Sequence, residues 1–205
     1  MEKDIPLSYK RALKYLGFTG EPTAEQICML ESTFNNVTKY ARPWVCHTFL
    51  ELKLDKETNL YYVDAPLNLN YKSIQGLLRT KGSDSLCLLF ATLGEGVDKH
   101  IAKLVEQDSS ESAIFDACAS SYIEEVADQY QAKLGLANET FRYAPGYGDV
   151  PLEFQRELFS CTCSRVRGIS ERIELDENCI MHPFKSLTGL VGFNACASSS
   201  ANDVE

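Results

Sequence analysis

The sequence contains no stretch of about 18 consecutive apolar residues, which is the length that a membrane-spanning helix needs. Residues 1–17 carry charges throughout and lack the apolar core of a secretory signal peptide. We therefore expect a cytoplasmic protein without a membrane partner. Internal repeats are absent, and only residues 198–205 have the composition of a frayed tail.

Basic residues are also scarce, since 20 Lys and Arg stand against 29 Asp and Glu, for a net charge of −9. No basic stripe offsets this balance, so a phosphate backbone would be repelled and nucleic acid is not an expected partner. Hydrophobic residues make up 44% of the 205 positions and charged residues 24%. This is the composition of an ordinary soluble domain with a sizeable core.

The eight cysteines form an even number, but without an export signal we expect them to be reduced. Four lie in apolar stretches and are expected to be buried as small hydrophobic residues: Cys28, Cys46, Cys87 and Cys118. Cys161 and Cys163, with His182, make only a weak metal pattern because a C-x-C sequence lacks the second pair of a zinc site. We expect neither a metal site nor an iron–sulfur cluster.

Periodicity predicts helices and strands in irregular order. Patterns typical of capping boxes at Thr23–Gln26 and Asp108–Glu111 start two helices, and the second runs to about Leu134 before Gly135. Alternation predicts a strand over Trp44–Leu54. Further helices are expected over Ser8–Leu16, Tyr71–Leu78, Val97–Leu104 and Pro151–Phe159, and further strands over Leu60–Val63, Leu86–Thr92, Arg172–Leu175 and Thr188–Phe193. This order predicts an α+β fold in one domain, with a helical part at 1–40, a body at 41–197 and the tail at 198–205.

The segment from Arg142 to Asp149 holds the most informative residue types. Pro145 fixes φ and Gly146 permits positive φ, so the pair suits a tight turn whose backbone can approach a ligand. The planar fork of Arg142 matches a carboxylate, and Tyr147 offers a ring face and a hydroxyl. Together they suit a zwitterionic amino-acid ligand. A plain surface turn beside a solvated arginine remains the alternative on these residues alone.

A second segment surrounds the His182-Pro183 step. Proline disfavours helix at the preceding residue, so His182 is expected in an extended or turn geometry. Lys185, Ser186 and Gly189 follow and could line a site. Because the spacing gives His182 no partner, a hydrogen-bonded structural histidine is the alternative.

The chain resembles the activation (reactivation) domain of cobalamin-dependent methionine synthase in a paired sequence signature. The first part of this signature is A-P-G-Y-x-D followed by PLEFQRELF at 151–159, and the second is I-M-H-P-F-K-S-x-x-G. The short, free-standing members of that family are the most similar. Residues 13–17, 90–98 and 115–128 also resemble the family in order and spacing, so the resemblance covers nearly the whole chain.

The resemblance implies a C-shaped α+β domain that has a twisted antiparallel sheet flanked by helices and binds S-adenosylmethionine. It implies that the ligand is held by Arg142, Ala144, Pro145, Gly146, Tyr147, His182, Pro183 and Glu125. Long members have an aromatic residue three positions before the histidine, where this chain has Cys179. Glu125 is otherwise interpreted as a solvated helix acid.

The resemblance also implies a role in methionine biosynthesis, the reductive methylation that reactivates cob(II)alamin on a separate methionine synthase core. The cobalamin would arrive on that partner, and a flavodoxin-like or other protein would supply the electron. The cofactors carry such a methyltransferase-type reaction, so no catalytic side chain is expected. Three alternatives remain: another corrinoid methyl-transfer protein as the client, an accessory module that binds S-adenosylmethionine without catalysis, or a structural subunit that stabilises a truncated methionine synthase.

Overall fold

A computed structural model describes residues 7–195 of the chain. Within this range the helices are α1 (Tyr9–Tyr15), α2 (Ala24–Tyr40), α3 (Lys72–Lys81), α4 (Glu95–Gln107), α5 (Ser109–Leu134) and α6 (Phe154–Cys163). The strands are β1 (Trp44–Glu51), β2 (Lys53–Asp55), β3 (Leu60–Tyr62), β4 (Ser85–Thr92), β5 (Glu174–Leu175), β6 (Met181–His182) and β7 (Ser186–Phe193). The predicted α+β class is confirmed.

The centre of the fold is an antiparallel sheet in the order β1-β4-β7. All eight residues of β4 are buried, because helices cover both faces of this strand. Leu89 and Ala91 pack with α1, α2, α4 and α5 on one face. Leu88 and Phe90 pack with α3 and α6 on the other. Burial on both sides explains why β4 is a continuous apolar run rather than an alternating one.

The helix termini follow the expected chemistry. The side chains of Thr23 and Gln26 each accept a hydrogen bond from the other's backbone N–H, the reciprocal pattern of a capping box. Asp108 caps α5 by accepting from the N–H groups of Ser110 and Glu111, and Gly135 ends this 26-residue helix at φ +60°. α5 packs against α1, α2 and α4, so the helical N-terminal part shares a core with α4, α5 and one face of β4.

The predicted strand over Trp44–Leu54 is interrupted at Leu52. β1 pairs with β4 only as far as Glu51, opposite Ser85, where β4 begins. The Leu52 N–H donates to the Asp84 carbonyl at 2.8 Å, and the chain then leaves the sheet to form the β2–β3 hairpin. The prediction of one continuous strand was wrong, because β4 begins at Ser85 and has no further residue with which Leu52 could pair.

The last predicted elements also shift. The helix expected over Pro151–Phe159 begins at Phe154 and extends to Cys163, since three i→i+3 hydrogen bonds form a tighter turn ahead of it. The strand expected over Arg172–Leu175 is reduced to the two residues of β5. The N–H groups of Arg172 and Ile173 both donate to the carbonyl of Ile169, so these two residues form a turn rather than a strand. The last strand starts two residues earlier than predicted.

The cysteine predictions hold for three of the four residues named. Cys46, Cys87 and Cys118 are buried, and burial raises the pKa of each thiol to about 12. Cys28 is exposed, contrary to expectation, because it lies on the solvent face of α2. The described cysteines are all free thiols. No helix between residues 7 and 195 combines the length and apolarity needed to span a bilayer.

Candidate functional site

A groove of about 430 Å³ lies between α5, the segment at 141–147 and the start of β7. Its volume is within the ~300–1,000 Å³ range of small-molecule sites. The lining residues, which define "the groove" below, are Glu124, Phe141, Arg142, Tyr143, Ala144, Tyr147, Leu187 and Thr188. The structure thus brings Arg142, Ala144 and Tyr147 of the R-x-A-P-G-Y segment to a cavity of ligand size.

This segment is attached to the outer edge of β7. The N–H of Tyr143 donates to the Leu190 carbonyl at 2.9 Å, and the Leu190 N–H donates back at 2.8 Å. A Cβ on Gly189 would lie 2.6 Å from the Cγ of Arg142 and 2.9 Å from the carbonyl oxygen of Tyr143. Glycine at 189 therefore permits Arg142 to lie directly on the strand.

The predicted turn at Pro145-Gly146 is present. Pro145 is buried, and Gly146 has φ +88°, a value open to glycine but strained for other residues. The Gly146 N–H donates to the Val150 carbonyl, and the Val150 N–H donates to the Tyr147 carbonyl, both at 3.0 Å. The turn holds the backbone of Tyr147 while its side chain remains 68% exposed at the groove.

The end of the segment is anchored to α3. The carboxylate of Asp149 accepts from the N–H groups of Lys72 at 2.7 Å and Ser73 at 3.1 Å, so it caps a helix that the residue before it leaves uncapped. A hydrogen bond from the Ser73 side chain, followed by these backbone bonds, lowers the pKa of Asp149. Tyr143 adds a hydrogen bond from its hydroxyl to the Tyr147 carbonyl at 2.7 Å.

Arg142 is held against α5 rather than solvated, and its side chain is only 11% exposed. Its Nη2 donates to Glu124 Oε2 at 2.6 Å and to Asp128 Oδ1 at 3.0 Å, and its Nη1 donates to Gln131 Oε1 at 3.2 Å. Spacings of four and three residues place these acceptors on one helix face. Within residues 7–195, the Nε–H and one Nη1–H of Arg142 have no partner, so two donors remain for a ligand.

Glu125 lies near this cluster but does not line the groove. Its Oε1 lies 3.0 Å from Nη1 of Arg11, and its side chain is 13% exposed. Burial, as the largest cause, raises the pKa of Glu125 although Arg11 opposes the shift. The neighbouring Glu124 lines the groove instead, and sequence reasoning missed it. The recognisable signal was the polar row formed with Asp128 and Gln131 on a long helix.

His182 and Pro183 lie beyond the groove, joined by a cis peptide bond before β7. The Nε2 of His182 is 3.4 Å from Oδ2 of Asp176, and its ring centroid is 4.6 Å from that of Phe184. The groove is lined instead by Leu187 and Thr188, further along β7. The spacing argument that His182 has no partner was therefore wrong, since Asp176 lies within ion-pair distance.

Lys185 ties the same segment to α5. Its Nζ is 2.8 Å from both Asp116 Oδ1 and Ser120 Oγ, one helical turn apart. The two segments singled out in the sequence thus both contact α5, the first through Arg142 and the second through Lys185.

Cys179, at the position where long family members have an aromatic residue, is too deeply buried to contact a ligand. It is 2% exposed at φ +64°, and its carbonyl accepts from Nε2 of Gln155 at 2.5 Å. Within the described range, no group of three His, Cys, Asp or Glu side chains is arranged to hold a metal ion.

These features define an α+β domain whose central antiparallel sheet carries a ligand-sized groove beside an R-x-A-P-G-Y turn. No model of a known protein family and no curated protein matches the chain. Among solved structures, the chain is similar to the crystal structure of the MetH reactivation domain bound to AdoHcy, with a TM-score of 0.61 at 13% identity. The match covers 91% of this chain and 74% of that one. The chain therefore has the fold of the methionine synthase reactivation domain, and the predicted resemblance is confirmed at the level of the fold.

Proposed function

We propose that the groove binds S-adenosylmethionine. The proposal rests on one observation, which is that residues of a recognised sequence motif line a cavity of ligand size. Arg142, Ala144 and Tyr147 of the R-x-A-P-G-Y segment line a groove of about 430 Å³, in a fold shared with a domain crystallised with S-adenosylhomocysteine.

The charges around the groove suit a zwitterionic ligand. The two unpartnered donors of Arg142 are available for the ligand's carboxylate. Glu124 offers negative charge to an ammonium or sulfonium group, and the exposed rings of Phe141 and Tyr147 offer aromatic faces to a cation or to adenine. The backbone from Ala144 to Gly146 would approach the ligand directly. His182 and Pro183 would contribute from the far end, and Glu125 through its neighbours.

The finer part of the proposal is that the bound ligand serves the reductive methylation of cob(II)alamin held by a partner protein. The partner is a methionine synthase core or another corrinoid protein, and a flavodoxin-like or other protein donates the electron. S-adenosylmethionine would supply the methyl group, so this chain's residues contribute binding and orientation.

A second candidate is an accessory module that holds S-adenosylmethionine without supporting methyl transfer. Cys179 favours it, because a buried thiol cannot provide the ligand contact that an aromatic residue provides in long family members.

Calorimetry with S-adenosylhomocysteine tests binding. Losing one charge-assisted contact costs roughly 1.5–3 kcal/mol, so Arg142→Ala should weaken binding about ten- to a hundredfold. Arg167→Ala is the matched control, since Arg167 is exposed and distant in sequence from the groove residues. Equal affinities for wild type and Arg142→Ala would contradict the assignment of Arg142.

A turnover assay separates the two candidates. The purified chain, S-adenosylmethionine and a chemical reductant are mixed with a cob(II)alamin-loaded methionine synthase core, and methylcobalamin is followed by absorbance. Formation of methylcobalamin supports reactivation. Binding without methylcobalamin supports the accessory module.

A further inference from the structure

We infer that Arg11, in the N-terminal helix α1, is a positioning residue that sets the groove's selectivity for a ligand carboxylate by sharing Asp128 with Arg142. The inference rests on the proposed function. It concerns a residue that does not line the groove and was not singled out in the sequence.

The geometry is an alternating chain of charges. Nη2 of Arg11 donates to Oδ2 of Asp128 at 2.9 Å, while Nη2 of Arg142 donates to Oδ1 of the same carboxylate at 3.0 Å. Each oxygen of Asp128 therefore serves one arginine. Glu125 lies on the other side of Arg11, 3.0 Å from its Nη1, at an angle outside that of a hydrogen bond.

α1 is fixed where this contact can form. Ala12 and Leu13 are buried in the core shared with α5. The hydroxyl of Ser121 on α5 donates to the carbonyl of Ser8, the residue that caps α1, at 3.0 Å. Arg11 therefore reaches Asp128 from a helix that is packed against α5.

Arg11 reduces the net negative charge of this cluster. Glu124, Glu125 and Asp128 supply three negative charges to the cluster, and Arg11 and Arg142 supply two positive ones. The cluster is −1 with Arg11 and −2 without it. Without Arg11, both oxygens of Asp128 become available to Arg142, which then has less capacity for a ligand's carboxylate. The same change makes the groove more favourable to an ammonium group.

Two ligands that differ only in the carboxylate test this. S-adenosylhomocysteine carries both the carboxylate and the ammonium, whereas S-adenosyl-3-thiopropylamine keeps the ammonium and lacks the carboxylate. For Arg11→Met we expect S-adenosylhomocysteine affinity to fall about two- to fivefold, the effect of a solvent-accessible ion pair. Affinity for the amine should stay unchanged or rise. Lys10→Met, on the same helix and paired with exposed Glu21, should change neither.

A double-mutant comparison identifies the route. In an Asp128→Asn background, the added Arg11→Met change should alter the ratio of the two affinities much less than it does in the wild type, because the shared carboxylate is gone. Arg11→Lys, which keeps the charge, should retain most of the wild-type ratio and provides the test if Arg11→Met does not fold.

An equal loss of both ligands in Arg11→Met would mean that α1 only supports the fold, and an unchanged ratio would mean that Arg11 is not coupled to the groove. Either result overturns this inference while leaving the proposed function standing. If wild type binds neither ligand, the proposed function fails and the inference fails with it.

Discussion

Replacing Gly189 by alanine tests whether Arg142 is held on β7 as described. The added Cβ would lie 2.6 Å from the Cγ of Arg142 and 2.9 Å from the Tyr143 carbonyl oxygen. Distances below about 3 Å require something to move. The Tyr143 carbonyl cannot move freely, because it accepts the Leu190 N–H at 2.8 Å. The arginine stem must therefore shift, and with it the guanidinium.

Overpacking of this kind costs roughly 1–3 kcal/mol in the free energy of unfolding. For a chain of this length, we expect Gly189→Ala to lower Tm by about 3–10 °C. Because the guanidinium leaves its partners on α5, we also expect the affinity for S-adenosylhomocysteine to fall by about tenfold. Circular dichroism follows Tm, and calorimetry follows the affinity.

Gly76→Ala is the matched control, since a Cβ at Gly76 meets nothing within 4 Å. Gly76 is inside α3, where alanine is favoured over glycine by about 0.5–1 kcal/mol, so this variant should be slightly more stable than wild type. A Gly189→Ala protein with wild-type Tm and wild-type affinity would refute the packing of Arg142 over the strand.

Four further expectations concern the cap of α3, the cysteine thiols and His182. Asp149→Ala should lower Tm because α3 loses its cap, and Asp149→Asn should lower it less because the amide oxygen replaces one of the two carboxylate oxygens that accept; thermal unfolding at pH 7 distinguishes the two variants. The thiols with a folded pKa of about 12 ionise at ~8.5 when unfolded, so stability should be full below pH ~8.5 and decline as pH rises toward 12, as urea titrations across that range would detect. In native protein only exposed Cys28 among Cys28, Cys46, Cys87 and Cys118 should react quickly with a disulfide reagent, and rapid labelling of the other three would contradict their burial. His182→Ala should weaken S-adenosylhomocysteine binding less than about threefold, because His182 lies outside the groove lining; a loss as large as that of Arg142→Ala would place it in contact with the ligand.

Local chemistry determined much of what could be predicted. The caps at Thr23 and Asp108, the stop at Gly135 and the turn at Gly146 depend on residues a few positions apart, and each is found where its pattern occurs. The apolar run of β4 likewise shows burial on both faces without reference to any partner. The R-x-A-P-G-Y segment was recognisable because its residue types are unusual in combination.

Local sequence patterns could not predict which distant segments of the chain contact one another. The division of Trp44–Leu54 into two strands depends on where β4 begins, and Arg142 pairs with α5 through Glu124, which lies eighteen residues earlier. Glu124 and Glu125 are adjacent and chemically alike, yet α5 turns one toward the groove and the other toward Arg11 because successive helix positions are about 100° apart. The residue types that can bind a ligand carboxylate or an aromatic ring were recognisable from the sequence alone. Which of these residues lie beside one another depends on how α1, α5 and β7 pack. An ion pair such as Arg11–Asp128 joins residues more than a hundred positions apart, so it forms only when the folded core brings its two helices together.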